Sequence, residues 1–257
     1  SPDGKELYAY EVDKTSWRVY AIPVDGGKIR VVTPGEGTVG GVSFSRSGSM
    51  AFIGEACDTP PDIYVTDPRR FEPRKLTTVN AGYATYPMGK TEVITWRSKD
   101  GSTIEGLLTY PAGYTPGRKY PLILNIHGGP ASVFTQSYTA ASGMYPLQAF
   151  AGAGYAILRA NPRGSSGYGM VFRHANINDW GEGDFEDQMA GVDKVIAMGI
   201  AHPDSLCVTG WSYGGYMTAT VVTKTRRFKA AVMGAGISDL ASFTGTADIP
   251  GFIPDYF

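Results

Sequence analysis

Gly210-Trp211-Ser212-Tyr213-Gly214 is the stretch whose residue types and spacing could do chemistry. The run Leu206-Cys207-Val208-Thr209 leads into this Gly-x-Ser-x-Gly, and a helix-compatible segment follows it. That is the pattern of a nucleophile elbow: a strand turns sharply into a helix and leaves one serine hydroxyl at the crest. The glycines have a mechanical reason, because the strained turn brings its neighbours too close for most side chains. An ordinary Gly-rich strand-to-helix turn shares the pattern, so the serine needs company. His127-Gly128-Gly129-Pro130, at the end of another apolar run, supplies it. Ser212 would be the nucleophile for acyl transfer, which needs a histidine base oriented by a carboxylate. The tetrahedral intermediate needs two N–H donors. The elbow places that of Tyr213, and a His-Gly-Gly loop provides the second, its glycines letting backbone approach the substrate.

The base is harder to find. The histidines are His127, His174 and His202, and all precede Ser212, whereas hydrolases of this type run Ser, then Asp or Glu, then His. His127 belongs to the Gly-rich loop and is expected to shape it rather than take a proton. His174 lies in a polar stretch and is expected to be exposed. His202, in the turn before the elbow strand, falls at the wrong end of the sheet. Asp239 could be an acid by order alone but reads as a turn or cap residue. The triad is expected to be incomplete in this chain.

The elements that position these residues read as an α/β sheet. Val93-Ile94-Thr95-Trp96 and Ile104–Tyr110 flank Lys99-Asp100-Gly101 as a hairpin. Pro121–Ile126 and Tyr155–Ala160 are continuous apolar runs of the buried parallel type. Apolar residues recur at helical spacing from Phe185 to Met198, Gly199 is a natural stop, and Ala230–Met233 is a further strand. Strands alternating with helices give a mostly parallel, doubly wound sheet, whose sites lie at the carboxyl ends of its strands. His127-Gly128-Gly129, Asn161-Pro162-Arg163 and Ser212 all fall at such ends and should converge on one edge.

Residues 1–80 repeat. Ser1-x-x-Gly4 recurs as Ser45-x-x-Gly48, Leu7–Tyr10 as Ala51-Phe52-Ile53, Val19-Tyr20 as Ile63-Tyr64, and Val32-Thr33 as Leu76-Thr77, all at an offset of 44 residues. A period of about 40–45 residues with several short strands marks a propeller blade. Two blades cannot close a ring, so the segment reads as the last two blades of a propeller. The expected organisation is 1–80 as two blades, 81–91 as a linker and 92–257 as a hydrolase domain, incomplete at its C-terminal end.

Composition excludes more than it assigns. The net charge is −1 with 18% charged residues, so no basic surface calls for nucleic acid or anionic lipid. No apolar run nears the ~20 residues that cross a bilayer. Cys57 falls in a loop and Cys207 reads as a buried thiol, with no disulfide framework between two such residues. The chemistry calls for no cofactor and no metal. Ser1-Pro2-Asp3-Gly4 and Asp255-Tyr256-Phe257 look like cut ends of a longer frame, which leaves localisation unassigned, with the cytoplasm slightly favoured over the periplasm or secretion.

With these motifs together, residues from about 92 onward resemble the catalytic domain of the prolyl oligopeptidase family of serine peptidases (S9), in its acylaminoacyl-peptidase and dipeptidyl-peptidase-like branches. The carrying residues are His127-Gly128-Gly129-Pro130, Asn161-Pro162-Arg163-Gly164-Ser165-Ser166-Gly167-Tyr168-Gly169, Asp179-Trp180-Gly181 and Gly210–Met217. The family also sets a β-propeller before its hydrolase. The resemblance implies Ser212 as nucleophile and the N–H groups of Tyr213 and Gly129 as oxyanion donors. It also implies a catalytic Asp and His beyond Phe257, so the chain alone is expected to be inactive; with Ala230–Met233 left as an apolar edge and the first blade without a neighbour, it is also expected to be poorly stable. His202-Pro203-Asp204-Ser205 departs from the family's Asp-Pro-x-Arg turn, which puts at most a structural contact in doubt. The expected partner is a short peptide substrate, with an esterase or a non-catalytic binding module as alternatives. Phe252 and Tyr256 could line a specificity pocket or belong to the core. Cleavage preference and homo-oligomerisation stay open.

Overall fold

The computed structural model describes residues 1–141, 143–249 and 251–256. Phe257, where the hydrolase reading ends, lies outside them. The chain forms two compact units, Ser1–Met88 with Thr135–Pro146, and Gly89–Phe134 with Leu147–Phe257.

In the first unit β1 (Glu6–Asp13), β2 (Ser16–Pro23) and β3 (Arg30–Val31) form one antiparallel sheet. A second contains β4 (Thr38–Phe44), β5 (Met50–Ala56), β6 (Thr59–Thr66) and β7 (Arg74–Lys75). The repeat extends to individual hydrogen bonds. Val19 N–H donates to Thr33 Oγ1 at 2.9 Å, and Ile63 N–H to Thr77 Oγ1 at 2.9 Å. Gly4 N–H closes its turn on Ser1 O at 3.0 Å, as Gly48 N–H does on Ser45 O at 3.0 Å. Neither blade has an interior of its own. They share one, made by Val19, Ala21 and Val32 from the first sheet against Met50 and Phe52 from the second.

The units do not follow the expected boundaries everywhere. Thr135–Pro146 belongs to the first unit although it lies inside the hydrolase half of the sequence. The reason is hydrogen bonding, by backbone and by side chain, to the two hairpins of that unit. Gln136 N–H donates to Thr15 O at 2.8 Å, Thr139 N–H to Cys57 O at 3.0 Å, and Tyr138 N–H to Glu55 Oε2 at 2.9 Å. Tyr138 and Thr139 are buried by these contacts.

The second unit is a six-stranded sheet of β8 (Thr91–Arg97), β9 (Thr103–Thr109), β10 (Tyr120–Ile126), β11 (Ala156–Asn161), β12 (Ala201–Trp211) and β13 (Phe228–Gly234). Its order is β13-β12-β10-β11-β9-β8, parallel from β13 to β11 and antiparallel from there to β8. Among the described residues five α-helices accompany it: α1 (Leu147–Gly152), α2 (Met170–Arg173), α3 (Gly183–Ala197), α4 (Tyr213–Lys224) and α5 (Leu240–Thr246). This is the α/β-hydrolase arrangement with two propeller blades before it. Leu122, Leu124, Leu158, Leu206 and Val208 of the sheet pack with Val192 and Val195 of α3 and Met217 and Val221 of α4. Each such side chain, fully buried, stabilises the fold by roughly 1.5–3 kcal/mol. Among the described residues no helix is long and apolar enough to cross a membrane.

Two expectations change. β12 starts at Ala201 rather than Leu206, because Ala201 pairs with Tyr120 before the register shifts to Leu206 against Leu122. The surplus residues His202–Ser205 form a bulge, so His202 is an exposed bulge residue rather than part of a preceding turn. Cys207 is only half-buried. Its neighbouring strand β13 is an edge, with Val232 and Met233 exposed, so that side of β12 is thinly covered. Asp239 is the N-cap of α5, its carboxylate accepting from Ser242 N–H at 3.0 Å.

Candidate active site

Register brings the motifs together. Parallel pairing sets Ile126 of β10 opposite Gly210 of β12, so His127 and Trp211 leave the sheet side by side. Ser212 then takes φ 59 and ψ −122, a conformation that costs a residue with a Cβ about 1–3 kcal/mol and survives only where the surroundings dictate it. They do. Ser212 N–H donates to Gly234 O at 2.9 Å, and Tyr216 N–H to Ser212 O at 3.0 Å. A Cβ on Gly210 would strike Gly214 O, and one on Gly214 would strike Ile126 O and stand 2.9 Å from His127 O. Only glycine lets strand and helix close to this distance. Ser212 is left exposed, and α4 starts at Tyr213, whose N–H occupies the first helical position and has no intrahelical acceptor.

The second loop runs along this crest. A Cβ on Gly128 would lie 3.1 Å from Trp211 O and 3.9 Å from Ser212 Oγ, so this backbone passes directly beside the serine. Gly129 follows, exposed and at φ 120, where a Cβ would meet Ala131 N at 2.5 Å. Ser212, Tyr213 and the Gly128-Gly129 backbone are therefore gathered at one point.

His127 is not aimed at the serine. It is buried, with Nδ1 2.7 Å from Gly128 O and Nε2 3.0 Å from Ser165 Oγ, and its ring packs edge-on to Phe134. Burial pushes its pKa down to about 4, so it is neutral near pH 7. His174 is exposed just after α2. The structure thus brings together the serine and the Gly-rich loop and leaves the three histidines in other roles.

What holds the Gly-rich loop is the stretch after β11. Asn161 pinches it, Nδ2 donating to Phe134 O at 3.0 Å while Oδ1 accepts from Phe134 N–H at 2.8 Å. Ser166 donates from its hydroxyl to Ala131 O at 2.6 Å and from its N–H to Ser132 O at 3.1 Å. Ser165 Oγ lies 2.6 Å from Pro162 O. This stretch is itself anchored by Arg163, which binds the buried Asp187 of α3 through Nε and NH2 at 2.9 and 2.8 Å. Ser98 Oγ donates to the same carboxylate at 2.5 Å. Sequence placed Asn161-Pro162-Arg163 at the correct edge but assigned it no task. Its bonding partners lie too far along the chain for spacing to reveal.

Under the elbow lies an aromatic and acidic cluster. Trp180 packs on Tyr213, Tyr216, Phe252 and Tyr256, with ring centroids 4.8, 5.7, 5.8 and 5.0 Å away. Phe252 and Tyr256 thereby pack, partly buried, against the hydrophobic core. The Tyr213 hydroxyl donates to Asp184, whose burial raises its carboxyl pKa to about 7 against the pull of its hydrogen-bond donors. Among the described residues no cluster of His, Cys, Asp and Glu is suited to a metal ion. An exposed serine, an unused helix-start N–H and a Gly-rich loop alongside form an arrangement suited to acyl transfer.

Residues 142–256 match the prolyl oligopeptidase family. The chain is 35% identical over 258 residues to the uncharacterized peptidase YuxL of Bacillus subtilis, covering 99% of this chain and 38% of that protein. Dipeptidyl-peptidase 5 of Aspergillus fumigatus is 28% identical over 240 residues, covering 90% of this chain and 33% of the relative. Among solved structures, an acylaminoacyl peptidase in complex with Z-Gly-Gly-Phe-chloromethyl ketone superposes with a TM-score of 0.86 at 26% identity, covering 98% of this chain and 39% of that one. The Pyrococcus horikoshii acylaminoacyl peptidase gives 0.85 at 25%, over the same shares of 98% and 39%. The chain spans little more than a third of the length of these proteins. It belongs to the prolyl oligopeptidase family of S9 peptidases.

Proposed function

We propose that the protein is a serine peptidase that cleaves short peptides through an acyl-enzyme on Ser212. The observation that carries this is the exposed serine at φ 59 with the Gly128 backbone beside its hydroxyl. Ser212 Oγ attacks the peptide carbonyl and gives its proton to a histidine base, which passes it to the leaving amine; water then releases the acyl group. The N–H groups of Tyr213 and Gly129 hold the oxyanion, each donor contributing about 10²–10³ in kcat. His127 is not the base, since both its ring nitrogens face other partners. The base and its carboxylate are assigned to the full-length protein, and the 257-residue chain by itself is expected to turn over almost nothing. Peptide-like chemistry is supported by the acylaminoacyl peptidase that binds a peptidyl chloromethyl ketone.

The test is covalent. A fluorophosphonate should label the full-length protein at Ser212, and Ser212→Ala should abolish both labelling and release of aminoacyl or peptidyl anilides. Absence of labelling, or labelling that survives Ser212→Ala, would overturn the proposal. Hydrolysis of p-nitrophenyl esters without any anilide turnover would make it an esterase instead.

A further inference from the structure

We propose that Asp184 is a positioning residue for acyl transfer: through the Tyr213 hydroxyl it fixes where the Tyr213 backbone N–H points. This rests on the oxyanion role proposed above for that N–H. Tyr213 has two separable parts. Its backbone opens α4 next to Ser212, while its side chain runs inward, buried, and ends on the Asp184 carboxylate. Asp184 is fully buried near the start of α3 and is itself held from the other side. Its Oδ1 accepts from Gly181 N–H at 2.9 Å and from Phe185 N–H at 2.8 Å, which leaves Oδ2 for the tyrosine. Trp180 closes the side, its ring 4.8 Å from that of Tyr213 and tilted by 74°.

The elbow needs such an anchor. Glycine contacts decide how near α4 comes to β10 and β12, but a helix with glycines at its second and third positions retains freedom to rotate about its axis. A side chain at the first helical position, tied to a fixed carboxylate on another helix, removes that freedom. Oxyanion stabilisation depends on a donor 2.7–3.1 Å from a defined point, and misplacement by about 1 Å costs ~10²-fold. The tyrosine and aspartate lie 29 residues apart, so nothing local would bring them together without this geometry.

Two substitutions separate the anchor from the fold. Above about pH 8, where Asp184 is ionised, Asp184→Asn keeps an oxygen for Gly181 and Phe185 but turns an amide donor towards a hydroxyl that was itself donating, so both variants are compared there. Tyr213→Phe removes the hydroxyl and keeps the ring against Trp180 and the backbone N–H. In the full-length protein each should lower kcat about 10²-fold with KM nearly unchanged. The double variant should be no worse than either single one, because both cut the same link. Amide exchange measured in parallel should quicken about tenfold at Tyr216, the amide that closes the first turn of α4 on Ser212 O, and stay unchanged at Val192 in α3. If Ser212 is labelled in the wild type and Asp184→Asn keeps full kcat, the positioning role is wrong. If the wild type does not label, the peptidase reading has failed, and exchange then decides the anchor alone. Exchange at Tyr216 unchanged in both variants would overturn it.

Discussion

The two loops that meet at Ser212 are held in opposite ways. The elbow is held by what is missing: at Gly210 and Gly214 any Cβ would collide with backbone oxygens, so strand and helix interlock sterically within a few residues of each other. The loop from His127 to Phe134 is held by what is added. Three of its carbonyls (Ala131, Ser132 and Phe134), one of its N–H groups and its histidine are each engaged by side chains or backbone of the stretch 161–166. Steric closure is unforgiving but local. A hydrogen-bonded cradle is adjustable one bond at a time and reaches across the sheet. The proposed active site thus joins a rigid nucleophile to a donor loop whose stiffness is set elsewhere.

The sharpest way to break this contrast is a single methyl group. Gly214→Ala places a Cβ against the carbonyls of Ile126 and His127, and neither backbone can yield without parting β10 from α4. The expected loss is ~3 kcal/mol or more, read from urea denaturation. A variant that melts like the wild type would mean the elbow is not sterically locked.

On the polar side the loss should be smaller. Ser165→Ala removes the oxygen between His127 Nε2 and Pro162 O and leaves a buried imidazole nitrogen unpaired. That costs about 2 kcal/mol. Ser165→Thr, which restores the hydroxyl, should recover most of it. If Ser165→Ala falls within 0.5 kcal/mol or so of the wild type, the cradle is not what holds the loop.

The same contrast explains what could be read in advance. A sterically built turn writes itself into neighbouring residues, so Gly210-Trp211-Ser212-Tyr213-Gly214 was legible. The blade repeat was legible for a related reason, since each blade must present the same pairing groups to itself, down to Thr33 and Thr77. The cradle was not, because its bonds join residues 27 to 38 positions apart and any Asn or Ser could make them. The excursion of Thr135–Pro146 into the first unit was equally hidden. Its two backbone bonds, to carbonyls at Thr15 and Cys57, carry no residue signature, and its side-chain bonds, Gln136 to Thr15 and Ser16 and Glu55 to Tyr138 N–H, join residues 83 to 121 positions apart. The early start of β12 depends on tolerating a bulge at His202–Ser205, and that follows from Tyr120 across the sheet. Asp184 looked like any acidic residue in the first turn of a helix, a common surface preference, and only burial beneath Tyr213 sets it apart.

The loops should also differ in the sign of their response to pH, the smallest of these effects. His127 has its pKa lowered to about 4 by burial, against 6.5 when unfolded. Between those values the unfolded chain binds a proton that the folded chain refuses, so this group's contribution to stability falls as pH falls. Asp184 has its pKa raised to about 7 by burial, against 3.8 when unfolded. Here the folded chain holds the proton, so its contribution falls as pH rises. Between about pH 4 and 6.5 the two slopes oppose, each at most ~1.4 kcal/mol per pH unit, and the wild type carries little net dependence from the pair. Removing one should uncover the other. Relative to the wild type, Asp184→Asn should lose stability on acidification from pH 6.5 to 4.5, by about 1 kcal/mol per unit, whereas His127→Asn should gain it. Denaturation midpoints at a few pH values decide the matter through sign alone, which survives any constant cost of either substitution. Slopes of the same sign in both variants would show that the elbow and the donor loop do not rest on buried groups of opposite protonation behaviour.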